Sequence, residues 1–295
     1  MTISSTARRC AAVLAGLALV LAACGSDDGD TDAAASGERP TVVVTTNILG
    51  DVVGELIDDQ ADVITIMPVG ADPHDFQPSA QEVDEVLAAD ALIVNGSGFE
   101  EGLLDFIDSA RDSGVPTFEA TGAVETITFG AGDEDEHGDE DEHAHDGADP
   151  HFFSDPTRMA DAVEGIGAFL AAEVDGLDPT ELDSAVADYV GELDALDAEV
   201  EALVETIPAE RRVLVTNHEV FGYFADRYEF EVVGAVIPGG TTVESASAGE
   251  LAELAEIIER KGVPAIFADR SSSNELVETL AAEVGDVDIV ELYSE

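Results

Sequence analysis

The stretch Asp178-Pro-Thr-Glu-Leu-Asp-Ser-Ala-Val-Ala-Asp-Tyr-Val-Gly-Glu-Leu-Asp-Ala-Leu-Asp-Ala-Glu-Val-Glu-Ala-Leu-Val-Glu-Thr-Ile207 decides the fold. Its apolar residues Leu182, Val186, Tyr189, Leu193, Leu196, Val200, Leu203 and Ile207 follow one another in steps of four and three. On a backbone that turns once every 3.6 residues, those steps make one stripe for about eight turns. Asp178 with Glu181 makes a capping box, and Pro179 suits the first turn, where no backbone donor is needed. Two readings stay open for so long a helix: a rigid spine joining two lobes, or one arm of a helical hairpin within a single domain.

Working outward, short apolar runs read as buried strands at residues 41–45, 63–66 and 91–94 on one side, and at 213–216, 232–237, 265–267 and 287–292 on the other. Helical patterns lie at 48–57, 79–88, 102–110, 249–261 and 274–284. Strands that alternate with helices build βαβ units and mainly parallel sheets. The expected fold is α/β, two lobes with mainly parallel sheets joined by one long rigid helix. The N-terminal lobe covers residues 41–178, the linking helix 179–207 and the C-terminal lobe 208–295.

The start of the chain addresses it. Arg8 and Arg9 precede an apolar run at residues 11–23, which is the length of a signal-peptide core and too short to span a bilayer. It closes on Leu21-Ala-Ala-Cys24, which resembles the lipobox of bacterial lipoproteins. Residues 1–23 therefore read as a signal peptide and Cys24 as a lipidation site; an ordinary secretory signal is the alternative. Residues 24–40, rich in Asp, Ala, Ser, Gly and Thr, read as a flexible tether. Cys10 and Cys24 are the two cysteines, so cleavage leaves no disulfide and no thiolate for a metal site. The expected location is extracytoplasmic, lipid-anchored to the outer face of the cell membrane.

Charge narrows the partners. The 295 residues hold 66 Asp+Glu against 11 Lys+Arg, a formal net charge of −55. Such a surface repels nucleic acid and anionic headgroups and concentrates cations. Acidity also serves solubility alone and does not by itself make a metal binder. Residues 133–149 are a low-complexity acidic run containing His137, His143 and His145, which reads as a mobile loop making auxiliary metal contacts.

The remaining three of six histidines sit in distinctive settings. His74 lies in Gly70-Ala-Asp-Pro-His-Asp-Phe-Gln-Pro, His151 in Ala148-Asp-Pro-His-Phe-Phe-Ser-Asp-Pro, and His218 in Val215-Thr-Asn-His-Glu-Val-Phe-Gly. Pro fixes its own φ and pushes the preceding Asp into an extended shape, so each Asp-Pro-His holds its imidazole at low entropic cost. Three neutral imidazoles and one carboxylate make a tetrahedral site suited to zinc. A hydrolase reading fails: His218-Glu219 starts like a metalloprotease helix, but Gly222 stands where a second histidine is required. No residue is assigned a catalytic role and no resident cofactor is expected.

The order and spacing of these motifs resemble the substrate-binding lipoproteins of zinc and manganese ABC importers, the solute-binding group with a helical backbone. The resemblance runs through Thr46-Asn-Ile, the two Asp-Pro-His segments, Asn95-Gly-Ser-Gly-Phe-Glu, His218-Glu-Val-Phe-Gly-Tyr-Phe and Ile266-Phe-Ala-Asp. It implies two α/β lobes bridged by the long helix, with the ion held between them by His74, His151, His218 and a carboxylate near the tail. Glu295 occupies that fourth place where the family carries Asp, and Asp269 is a second candidate. The sequence closes on Glu291-Leu-Tyr-Ser-Glu, so the resemblance also implies a C-terminal lobe cut short of the family's last helix. A histidine at the third position matches the zinc-type members; manganese-type members tend to carry a carboxylate there. Zn2+ is thus the expected cargo, with Mn2+ as the alternative. The expected partners are an ABC transporter permease with its ATPase and the membrane through Cys24; no nucleic acid is expected, and the protein is expected to be a monomer. The same fold also allows a zinc-dependent adhesin or chaperone.

Overall fold

The computed structural model describes residues 39–128, 147–243 and 245–295. The signal peptide, Cys10, the lipidation site Cys24, and the loop histidines His137, His143 and His145 lie outside the described residues.

Residues 39–128 supply the first sheet: β1 (Thr41–Val44), α1 (Asn47–Ile57), β2 (Asp62–Thr65), α2 (Ala80–Leu87), β3 (Ala91–Val94), α3 (Leu104–Asp112) and β4 (Thr117–Glu119). The strands pair in parallel in the order β2-β1-β3-β4. Alternate residues of β1 and β3 face opposite sides, and both sides are covered. Val42, Val44 and Ile93 pack with α1 and the helices α4 (Pro156–Glu173) and α5 (Pro179–Val204), while Val43, Leu92 and Val94 pack with α2 and α3. This double coverage is why β1 and β3 read as unbroken apolar runs.

The second sheet comprises β5 (Val213–Thr216), β6 (Glu231–Ala235), β7 (Ala265–Asp269) and β8 (Asp288–Leu292), parallel in the order β6-β5-β7-β8. The helix α6 (Gly222–Tyr228) follows β5, and α7 (Ala248–Lys261) and α8 (Glu275–Val284) cover one face through Leu254, Ile258, Val277 and Leu280. The edge strand β8 is largely exposed and carries Asp288 and Glu291, charges that discourage pairing with another chain. Both sheets share one topology, in which the chain reverses direction across the sheet beside β1 and beside β5. Loops leaving the carboxyl ends at such a reversal form a crevice where ligands bind.

The long helix is present, and it does two jobs. Its first half packs on α1 and α4 through Leu182, Ala185, Val186, Tyr189 and Leu193. Gly167 in α4 makes this approach possible, since a Cβ there would lie 2.5 Å from Val186 Cγ2. The apolar stripe does not stay covered, however: Leu196 is 47% and Leu203 60% exposed. There the helix is held instead by polar contacts from α6, with Arg227 on Asp197 (2.5 Å) and Glu201 (2.9 Å) and the Tyr228 hydroxyl donating to Asp197. The helix ends at Val204, three residues before the expected Ile207, where Thr206 and Ile207 turn back on Leu203 and Val204 ahead of Pro208. Asp178 caps it by accepting from the Thr180 and Glu181 amides. The described residues form one compact unit.

Candidate metal centre

Each lobe brings donors to the same point from loops that leave its sheet. His74 lies between β2 and α2, His151 just ahead of α4, His218 just after β5, and Glu295 after β8. All four are buried, and one ligand atom from each lies within 4.8 Å of the others. The ring centroids of His74, His151 and His218 form a near-equilateral triangle with sides of 5.7, 5.6 and 5.5 Å. Their Nε2 atoms converge on Glu295 Oε1 at 3.2, 3.2 and 2.8 Å. The other carboxylate oxygen, Oε2, is buried without a hydrogen-bond partner among the described residues.

The donor set fits a divalent ion. Ligand bonds of about 2.0–2.1 Å place tetrahedral neighbours roughly 3.3 Å apart, so two of the three observed separations already match and His218 must open by about 0.5 Å. The orphaned Oε2 offers a second oxygen to the same ion. With four protein donors and no open position held for water, the arrangement is that of a binding site, unlike a catalytic zinc centre.

Electrostatics follow from the geometry. Burial opposes charge on His151, but hydrogen bonds and negative charge from Asp149 and Glu295 outweigh it and push the imidazole up to about 9. For Glu295, burial favours the neutral acid, yet the charge of His218 and hydrogen bonds from the three histidines hold the carboxyl well below its usual range. The metal-free cluster is thus an imidazolium–carboxylate assembly, and a cation must displace protons to enter.

The surrounding residues explain how the ligands are held. In both Asp-Pro-His segments the Asp carboxylate accepts the backbone N–H of the histidine two residues on: Asp72 from His74 at 3.0 Å and Asp149 from His151 at 2.9 Å. The His151 Nδ1–H also donates to Asp149 Oδ1 at 2.8 Å, which leaves Nε2 to face the site. Phe99 wedges edge-on against His74 and His151, with centroids 5.2 and 5.4 Å apart. Behind it Glu100 is fully buried and accepts from the Thr45 hydroxyl and the Asn95 and Gly96 amides, and burial raises its carboxyl against those bonds. The Asn95 side chain reaches the Pro150 carbonyl, tying the Phe99 loop to the His151 loop.

The structure brings His74, His151, His218 and Glu295 together in one cluster. Asp269, the second candidate for the carboxylate, stays outside it and binds Ser271 and Ser294 instead. Gly222 opens α6, whereas His218 precedes that helix. A Cβ at 222 would lie 2.6 Å from Asp149 Oδ2, so glycine here lets α6 approach the carboxylate that orients His151. Sequence reasoning missed the ring contact of Asp149, the packing of Phe99 and the Thr242 hydroxyl of the other lobe, which donates to Asp72 at 2.6 Å. The first two had a signal, since both residues sit inside motifs already singled out.

Comparisons with known proteins show the family. The family profile for the periplasmic zinc-uptake complex component A, ZnuA, matches residues 42–295. The manganese-binding lipoprotein MntA of Halalkalibacterium halodurans is 28% identical over 291 residues, covering 96% of this chain and 88% of its own. The zinc-binding protein TroA of Treponema pallidum is 32% identical over 254 residues, covering 85% of this chain and 77% of its own. The solved structure of the periplasmic zinc-binding protein TroA from Treponema pallidum superposes with a TM-score of 0.75 at 30% identity, over 87% of this chain and 89% of that one. By the profile match and by the fold, the chain belongs to the ZnuA family of periplasmic substrate-binding components for metal ABC transporters, which are not enzymes.

Proposed function

We propose that this protein captures a single zinc ion outside the cell, in the cluster of His74, His151, His218 and Glu295, and delivers it to the permease of an ABC importer. The observation that carries the reading is the convergence of three buried imidazole Nε2 atoms on one carboxylate oxygen at 2.8–3.2 Å. Three nitrogens and a carboxylate suit zinc, while manganese prefers an oxygen-rich shell. Burial strips water from the ion, and the two lobes share the donors, so release requires the lobes to move apart. The lipid on Cys24 keeps a monomeric carrier beside its permease, and His137, His143 and His145 supply auxiliary metal contacts.

The manganese reading has one specific support, the similarity to the manganese-binding lipoprotein MntA. A competition titration of the purified chain with zinc and manganese separates the two. Zinc binding at one ion per chain, at least about 100-fold tighter than manganese, supports the proposal. Equal or tighter manganese binding overturns it.

A further inference from the structure

The fourth donor lies three residues beyond β8, and the structure shows what holds that segment. After β8 the chain runs Tyr293-Ser294-Glu295, with few apolar anchors. Asp269, at the carboxyl end of β7, is 1% exposed and stands outside the donor cluster. Its Oδ2 accepts both the backbone N–H of Ser294 at 2.9 Å and the Ser294 hydroxyl at 2.5 Å. Its Oδ1 accepts the backbone N–H of Ser271 at 2.5 Å and that residue's hydroxyl, which locks the carboxylate plane. Next to it, the Arg270 amide donates to the Leu292 carbonyl at 3.0 Å and the guanidinium lies over the Tyr293 ring at 4.8 Å.

The same corner reaches His218. The Asn217 amide donates to the Phe267 carbonyl of β7, and the Asn217 side chain donates to the Ser272 hydroxyl at 3.0 Å. One loop therefore sets two donors from the C-terminal lobe, His218 through Asn217 and Glu295 through Ser294. This buried carboxylate gives one oxygen to its own loop, at Ser271, and the other to Ser294, the residue next to Glu295.

We infer that Asp269 is a positioning residue for metal capture: through Ser294 it fixes the backbone from which Glu295 reaches the three histidines. The assignment rests on the metal site proposed above. Without the Asp269–Ser294 bonds the backbone at Ser294 loosens, and the ion loses its one anionic donor more often. Supports of this kind around metal ligands change affinity by about 10–100-fold.

The test measures the zinc dissociation rate, by transfer to an excess of a chelator, in the full chain. Asp269→Asn should raise the rate about tenfold or more, and Ser294→Ala should raise it by a smaller factor, with Ser294→Thr restoring the original rate. Both effects should vanish in a Glu295→Gln background, because the residues act only through that carboxylate. An undiminished effect of Asp269→Asn and Ser294→Ala in that background would mean general damage to the lobe and overturn the inference. So would unchanged rates in both single variants while His74→Ala abolishes binding. If His74→Ala leaves zinc binding intact, the metal site itself is wrong and the inference falls with it. Should Asp269→Asn fail to fold, Ser294→Ala and Ser294→Thr decide the matter alone.

Discussion

The two Asp-Pro-His segments are identical in sequence and different in employment. Asp72 and Asp149 each hold the backbone N–H of the histidine two residues later. Their remaining acceptor capacity then goes to different places. Asp149 turns on its own motif and accepts the Nδ1–H of His151 at 2.8 Å. Asp72 turns outward and accepts the hydroxyl of Thr242 at 2.6 Å, on a loop that follows β6 in the other lobe. Meanwhile His74 Nδ1 faces Glu101, on its own lobe, at a looser 3.5 Å. The Asp149 motif therefore sets the orientation and basicity of its imidazole, and the Asp72 motif couples its imidazole to the approach of the lobes. A local motif delivers the imidazole; what lies across from its carboxylate decides the rest.

The largest expected effect is on the inward-turned copy. Asp149→Asn keeps the shape but weakens the bond that orients His151, and zinc affinity should fall by about 10–100-fold. Competition titration reads this directly, and an unchanged affinity would erase the distinction between the motifs. The pH dependence sharpens it. His151, pushed up to about 9, carries a proton in the metal-free chain at neutral pH. That proton stabilises the metal-free fold below the ordinary histidine value of about 6.5, and the stabilisation is lost as pH rises through about 9. Zinc must displace it, so apparent affinity should fall about tenfold per unit as pH drops below 9, with release of a proton on binding. In Asp149→Asn the same decline should begin at lower pH, since the leading support of the raised value is gone.

The outward-turned copy should show up in rates. Asp72→Ala removes the bridge to Thr242 and the support of the His74 backbone together, and zinc dissociation should accelerate about tenfold. Thr242→Val removes only the bridge, and a bond of about 1 kcal/mol corresponds to roughly fivefold faster dissociation. Stopped-flow transfer to a chelator measures both. The double variant should be no faster than Asp72→Ala, and full additivity would show that Thr242 acts elsewhere.

Much of this was legible from residues alone. The runs at β1 and β3 read as buried strands because both faces of that sheet are covered, and the apolar steps from Leu182 to Leu193 gave α5 because they meet α1 and α4. Beyond Leu196 the same steps continue without a buried partner, so periodicity overstated the core and placed the helix end three residues late. The strand β4 is three residues long, too short for any period to register, and its place is fixed by pairing with β3. His74 and His151 could be singled out because Asp-Pro-His is a local device that holds an imidazole without tertiary information, whereas His218 and Glu295 were assigned through the family resemblance. Thr242 and Ser294 could not be named, because a hydroxyl acquires its role only when folding brings a carboxylate against it from 170 or 25 residues away.

The most direct test of the account is an anomalous difference map, at the zinc absorption edge, from crystals of the chain loaded with one equivalent of zinc. The account predicts one strong peak bounded by the Nε2 atoms of His74, His151 and His218 and the carboxylate of Glu295. A loaded crystal whose peak lies elsewhere, with these four side chains still closed on one another, would contradict it.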